Sequence, residues 1–184
     1  MRADTIEIRL SGSGGQGLIL GGLILSEALI REGKYVAQSQ SYEPVSRGGV
    51  SRSDLVVTAQ EVDFPLVTEL DILVILDQIA VSISDGLVRQ RGVVLVDSDR
   101  VPSPPVGDFT FFSLPLSAKA YALNAPRGTN MLALGAIAAL SGICRPETLE
   151  QAIRARTPQR FAAINTAALH AGYTMAQNAP QGKP

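Results

Sequence analysis

Six residues near the start of the chain, Gly12-Ser13-Gly14-Gly15-Gln16-Gly17, restrict its fold more than any others. Before them, Thr5-Ile6-Glu7-Ile8-Arg9-Leu10 alternates polar and apolar side chains with the period of a strand. After them, Leu18 to Arg31 places Leu18, Ile19, Gly22, Leu25, Leu29 and Ile30 mostly on one helical face, and Gly33 ends the helix. Strand, glycine turn and helix in that order open an α/β sheet. The turn also satisfies the G-x-G-x-x-G spacing. Glycine permits positive φ and close backbone approach, and the following helix offers unpaired N–H groups to an anion. A diphosphate is the natural guest; a glycine turn that only packs strand against helix is the alternative.

The remaining chain continues the alternation. Strands are predicted at Lys34–Gln38, at Arg52–Ala59, in the apolar runs Ile72–Leu76 and Val93–Val96, and at Phe109–Phe112. Helices are predicted at Pro65–Leu70, Ile79–Arg89, Leu116–Leu123 and Met131–Leu140. Pro146 opens a further helix closed by Arg154 and Arg156, and Thr157 caps a last one through Ala171, with Gly172 as its stop. The expectation is one three-layer α/β domain over residues 1–176. It has a mostly parallel or mixed sheet, helices on both faces and a helical C-terminal third, and residues 177–184 form a flexible tail. In such sheets ligands sit where βα loops converge.

Two kinds of phosphate protein fit poorly. A Walker loop needs Lys and Ser/Thr after its glycines, whereas Leu18 and Ile19 follow Gly17. A dinucleotide fold wants an acid about 20 residues on. That region reads Val36-Ala37-Gln38-Ser39-Gln40, which weakens the dinucleotide reading without excluding it. Two other segments are candidates for binding. Gln38 to Ser53 is poor in aliphatics and rich in hydroxyls and amides, with Arg47 before Gly48-Gly49; it reads as a polar loop whose Arg47 pairs with phosphate, or as a solvated turn. In Pro126-Arg127-Gly128-Thr129-Asn130, either Thr129 or Asn130 caps the next helix, or Asn130 reaches a ligand.

Other residues exclude whole classes of chemistry. The single Cys144 rules out an internal disulfide framework and an iron–sulfur or multi-thiolate metal site on this chain. It reads as a small packed residue, and the single His170 as the end of a helix. Ser84-Asp85-Gly86 lacks the first glycine of a thiamine diphosphate motif. A net charge of -1 gives no nucleic-acid footprint, and no apolar run approaches the roughly 20 residues of a membrane span. Met1-Arg2-Ala3-Asp4 enters an alternating segment and not a secretory apolar region, so a cytoplasmic protein is expected. Charged residues are 18% against about 25% in typical domains, which suits either a subunit buried against partners or a sheet covered on both sides.

Together, Gly12 to Gly17, Gln40-Ser41-Tyr42-Glu43-Pro44, Arg47-Gly48-Gly49-Val50-Ser51-Arg52 and Asn130 before an alanine-rich helix resemble the gamma subunit of 2-oxoacid:ferredoxin oxidoreductases. The pyruvate, 2-oxoglutarate, 2-oxoisovalerate and indolepyruvate enzymes are of this type. Asn165 and Ala171-Gly172-Tyr173 resemble the same family's ending, and the similarity runs from about Ile6 to Tyr173. The resemblance implies one subunit of a heteromer that converts a 2-oxoacid and coenzyme A to acyl-CoA, CO2 and reduced acceptor. Thiamine diphosphate with Mg, and the iron–sulfur clusters, would belong to partner alpha, beta and ferredoxin-like delta subunits. This chain would bind coenzyme A and hold no catalytic residue and no metal. By that resemblance Ser13 and the amides of Gly14, Gly15 and Gln16 hold phosphates, Arg47 adds a cation, and Asn130 a polar contact. Glu43 stands where a glycine is more usual, and faces a partner or solvent. A free-standing dinucleotide-binding protein and a purely structural subunit are the alternatives.

Overall fold

In the computed structural model, which describes residues 5–43, 48–61 and 66–182, a six-stranded mixed sheet runs in the order β2-β3-β1-β4-β5-β6. β1 (Ile6–Ser13), β4 (Leu70–Ile75), β5 (Val88–Asp97) and β6 (Thr110–Leu114) are parallel. β2 (Tyr35–Tyr42) and β3 (Val50–Thr58) form an antiparallel hairpin added to β1 through β3. The expected α/β architecture is therefore present, with the mixed form of the sheet.

Alternation along β1 sorts its side chains between two layers. Ile8 and Leu10 join one large core with Leu55, Val57, Ile72 and Val74. That core is closed by α1 (Leu18–Arg31), α2 (Leu116–Ala122), α3 (Thr129–Ser141), α4 (Pro146–Arg156) and α5 (Gln159–Gln177). The opposite face is covered over β4–β6 by two 3-10 turns, Gln78–Ala80 and Ser82–Ser84, with Val101. Over β1 and β3 that face is polar. The Arg9 guanidinium forks onto Asp54, Nε to Oδ1 and Nη2 to Oδ2 both at 2.8 Å, and Nη1 donates to Ile83 O at 2.9 Å. Such a pair is tolerated in the interior because both partners are satisfied.

α3 has no polar face. Thr129 through Ala138 are all buried, which absorbs much of the chain's apolar excess. It crosses α5 almost backbone to backbone. A Cβ on Gly135 would lie 1.9 Å from Leu169 O, and one on Gly172 1.9 Å from Leu132 O. Gly172 is therefore a contact glycine inside α5, and the helix runs on to Gln177 instead of stopping there. His170 likewise lies within α5 and pairs with Glu150 of α4 at 2.7 Å. Beyond α5 the chain turns back, and Gly182 N donates to Phe111 O at the outer strand.

Three other sequence expectations change. Residues 79–89 do not form a helix. Asp77 accepts from Ile79 N, Arg9 takes Ile83 O, Gly86 adopts φ 71°, and Val88 already belongs to β5. Serine and β-branched residues, weak helix formers, let these local bonds win. Of the helix expected at Pro65–Leu70, Pro65 lies outside the described residues and Leu70 begins β4. Finally, most of Gln38 to Ser53 is strand, β2 running to Tyr42 and β3 starting at Val50. Its polar residues are used inside the sheet layer: Gln38 Nε2 donates to Ser53 Oγ at 2.8 Å beneath α1. Gly22 admits that pair, since a Cβ there would meet Ser53 Oγ at 2.1 Å.

Candidate functional site

The chain leaves β1 toward the helical layer and leaves β4 toward the opposite face. The crevice between the C-terminal ends of these two strands is thus a topological switch point, where open α/β sheets bind ligands. The Gly12–Gly17 segment lies there. Gly15 and Gly17 adopt φ 93° and 72°, and Gly17 is the N-cap of α1 with no side chain capping the helix. The amides of Gly15, Gly17 and Leu18 find no acceptor among the described residues, and they adjoin the positive end of α1.

Two side chains hold this loop in shape. Gln16 folds back beneath it: Oε1 accepts from Ser13 N at 2.7 Å and Nε2 donates to Leu76 O at 2.8 Å, tying β1 to the end of β4. Gly12 leaves the space for this, because a Cβ there would lie 2.2 Å from Gln16 Oε1. Asn130 is 5% exposed; its Nδ2 donates to Gly17 O at 2.9 Å and its Oδ1 accepts from Met131 N at 2.9 Å. Asn130 is therefore a brace of the glycine loop, with both ends of its amide engaged. A Cβ on Gly17 would strike that amide at 2.5 Å.

The second segment comes to the same place. Gly14 N donates to Gly49 O at 2.8 Å, joining the glycine loop to the β2–β3 tip. Glu43 closes that tip by accepting from Val50 N at 3.2 Å, so it is engaged within the hairpin. Arg47 lies outside the described residues. The sequence-level assignment of amides changes in detail. Gly14 N is taken by Gly49, and Gln16 N reaches Ser13 O at 3.3 Å, which leaves Gly15 as the outward donor of the three. Ser13 is buried.

Four residues escaped the sequence reading. Arg100, Ser117, Tyr121 and Arg127 join Gly15, Gln16 and Thr129 around a cleft of about 180 Å³. Arg100 Nη2 pairs with Asp77 Oδ2 at 3.1 Å while half exposed. Arg127 is exposed with no partner among the described residues. The signal was available for both arginines. Arg100 follows the strand that ends at Asp97, and Arg127 lies inside the segment singled out for Asn130. The cleft combines outward amides, a helix N-terminus and two guanidinium groups, a donor set suited to phosphate oxygens. Cys144 is remote from it. Burial first, and Glu32 second, push its thiol up to about 12, so it stays protonated at neutral pH.

Comparison with known proteins gives the same direction. The family model for pyruvate ferredoxin/flavodoxin oxidoreductase matches residues 7–175. The chain is 39% identical to a 2-oxoglutarate synthase subunit KorC of Methanocaldococcus jannaschii, over 93% of this chain and 94% of that protein. It is 30% identical to the ketoisovalerate oxidoreductase subunit VorA of Methanothermobacter marburgensis over 73% of this chain and 28% of that one. The solved gamma subunit of a keto/oxoacid ferredoxin oxidoreductase from Geobacter sulfurreducens superposes with a TM-score of 0.85 at 38% identity, covering 95% of this chain and 97% of that one. With its model matched almost end to end, the chain belongs to the pyruvate ferredoxin/flavodoxin oxidoreductase family, as a subunit of the gamma type.

Proposed function

We propose that this chain is the gamma subunit of a 2-oxoacid:ferredoxin oxidoreductase and that it carries the coenzyme A site. The reaction is 2-oxoacid anion plus coenzyme A giving acyl-CoA, CO2, one proton and two electrons for the acceptor. Relatives named for 2-oxoglutarate and ketoisovalerate support the 2-oxoacid class. Thiamine diphosphate with Mg on alpha and beta subunits supplies the decarboxylation chemistry, and iron–sulfur clusters on beta and delta subunits carry the electrons. This chain binds and orients. Gly15, Gly17 and the first turn of α1 present amides to the coenzyme's diphosphate, Arg127 and Arg100 neutralise it, and Arg47 adds charge. Gln16 and Asn130 hold the loop ready, which spares ordering cost on binding. The thiol then extends toward the thiamine site of a neighbouring subunit.

The observation that carries this reading is the uncapped start of α1 at the switch point, with the Arg127 guanidinium, which has no partner among the described residues, across a small cleft. Steady-state kinetics of the assembled enzyme test it: Arg127→Ala raises KM for coenzyme A and leaves KM for the 2-oxoacid unchanged. An unchanged coenzyme A KM in both Arg127→Ala and Arg47→Ala would place the site on another subunit.

A further inference from the structure

The two edges of the sheet are finished differently. At β6 the chain's own end folds back, and Gly182 N donates to Phe111 O. At β2, among the described residues, no strand or bridge pairs with the outer side. Glu43 N donates to Val50 O at 2.9 Å, so the odd-numbered residues of β2 bond β3. Val36, Gln38, Gln40 and Tyr42 therefore direct their backbone N–H and C=O groups outward. Such a row is a template for another strand, and proteins usually blunt it with charge, proline or a bulge. β2 has none of these: Tyr35 to Tyr42 carries no charged residue and no proline, and its pairing with β3 runs without a shift of register.

The helix above this edge is also left open. α1 packs over β2 and β3. Ile19, Leu23, Ser26 and Ile30 share one side of it. That side stands over β2, since Gln38 Nε2 donates to Ile19 O at 3.4 Å and Ser26 Oγ to Gln38 Oε1 at 3.5 Å. Yet Leu23 is 38% exposed and Ile30 54%.

We propose that a second copy of this chain covers this edge, β2 pairing antiparallel with β2 about a two-fold axis through Ser39. Register, spacing and charge select that occupant. An axis through Ser39 sets Val36 against Tyr42 and Gln38 against Gln40, which uses every outward group of the strand. An axis through Gln38 would set Tyr42 against Lys34, outside β2. Strands in a sheet lie about 4.8 Å apart, so helices seated over β2 and β3 on either side of the axis come to about 10 Å, a distance at which helices pack. The open sides of the two α1 helices then face each other. Lys34 and Glu43, both exposed, flank β2 at opposite ends. Antiparallel pairing brings Lys34 of each copy to the Glu43 end of the other, as a self-complementary two-fold interface requires.

The purified full-length chain tests this. Sedimentation equilibrium at high micromolar concentration should give twice the 19.4 kDa of one chain. Gln40→Pro removes an outward N–H on an edge strand, where proline is tolerated, and Leu23→Lys sets like charges across the axis. Each should raise the dimer dissociation constant at least about tenfold and keep the wild-type circular dichroism; Leu23→Lys, at a surface position, carries the test alone if proline disturbs β2. Two Ser39→Cys residues would meet as a pair not hydrogen-bonded to each other, with Cα atoms about 4.5 Å apart, and should link under mild oxidation. Two Ser41→Cys residues would lie about 14 Å apart along the strands and should not. The native Cys144 is buried and does not compete. A wild-type chain that stays monomeric overturns the proposal. So does a dimer that survives both Gln40→Pro and Leu23→Lys, or one that Ser41→Cys links as readily as Ser39→Cys. A monomeric chain whose Val36, Gln38 and Gln40 amides slow in hydrogen exchange only in the assembled enzyme puts another subunit's strand on this edge and overturns the second copy.

Discussion

Replacing Gly12 by alanine tests the internal bracing of the glycine loop. The new methyl group would sit 2.2 Å from Gln16 Oε1 and 3.2 Å from Leu76 Cβ. The first distance cannot be accommodated, so the Gln16 carboxamide must leave. It abandons Ser13 N–H and Leu76 C=O, which it had bonded at 2.7 and 2.8 Å. An orphaned buried polar group costs about 1–3 kcal/mol, and partial access to water places the pair at roughly 2–4 kcal/mol. Gly12→Ala itself recovers about 0.5–1 kcal/mol of chain entropy. The net expectation is a loss of about 1.5–3 kcal/mol, read by urea unfolding of the purified chain. Gln16→Ala alone loses the same two bonds and falls by a similar amount. The decisive variant is the double one. With Gln16 already truncated, Gly12→Ala collides with nothing polar and is neutral or slightly stabilising, so the coupling energy is about 2–4 kcal/mol. Additivity within about 0.5 kcal/mol would show that the two residues are independent and refute the clamp.

Three further outcomes follow from the same geometry. Gly135→Ala and Gly172→Ala each drive a methyl group into backbone at 1.9 Å; thermal unfolding should show losses above about 3 kcal/mol or no folded product, and a loss under about 1 kcal/mol would mean the helices are not in contact there. Arg127→Ala should cost about 1.5–3 kcal/mol of coenzyme A binding, roughly a 10- to 150-fold rise in KM, and a change in 2-oxoacid KM instead would move Arg127 to another role. Hydrogen bonding from Arg156, ahead of that from Arg31, holds Glu27 below its ordinary value of 4.5, so its contribution is full above 4.5 and is lost as pH falls through the lower folded value. Glu27→Gln should therefore lower the unfolding midpoint at pH 7, with the difference from wild type vanishing in acid; a difference that persists unchanged at pH 2 would contradict this.

The parts of the fold that could be read from the sequence are those where one local rule acts alone. Gly12 to Gly17 follows an alternating strand and precedes a one-faced helix, and both neighbours agree on what the glycines do. The runs Ile72–Leu76 and Val93–Val96 lie between two apolar layers, so their strands announce themselves. Pro146 and Arg156 bound α4 as helix-end chemistry requires. What was hidden depends on partners distant in sequence. The end of β2 and the start of β3 looked like a loop because the polar residues of this hairpin are satisfied by each other, as with Gln38 and Ser53. Ile79 to Arg89 looked like one helix, but only the 3-10 turns at Gln78–Ala80 and Ser82–Ser84 form there, and Arg9 claims the Ile83 carbonyl. Gly172 looked like a helix stop and is a contact with Leu132 across α3. At the site, the same limit applies to Asn130. Its position before the helix expected at Met131 made it a candidate, but only the fold shows that its amide bonds Gly17 O. Arg100 and Arg127 come to the cleft from separate loops, and no spacing in the sequence joins them.

The most direct measurement follows the two halves of the reaction in assembled enzyme carrying Gly15→Asn. Asparagine tolerates positive φ better than most residues, and no described residue lies within 4 Å of the Cβ position at Gly15, so the side chain enters the space assigned to the diphosphate. CO2 release from the 2-oxoacid without coenzyme A, a step assigned above to partner subunits, should keep its wild-type rate. Acceleration by coenzyme A should be lost, or should require at least about tenfold more of it, as expected for removing about 1.4 kcal/mol of binding. A wild-type response to coenzyme A would show that the glycine loop is not its site.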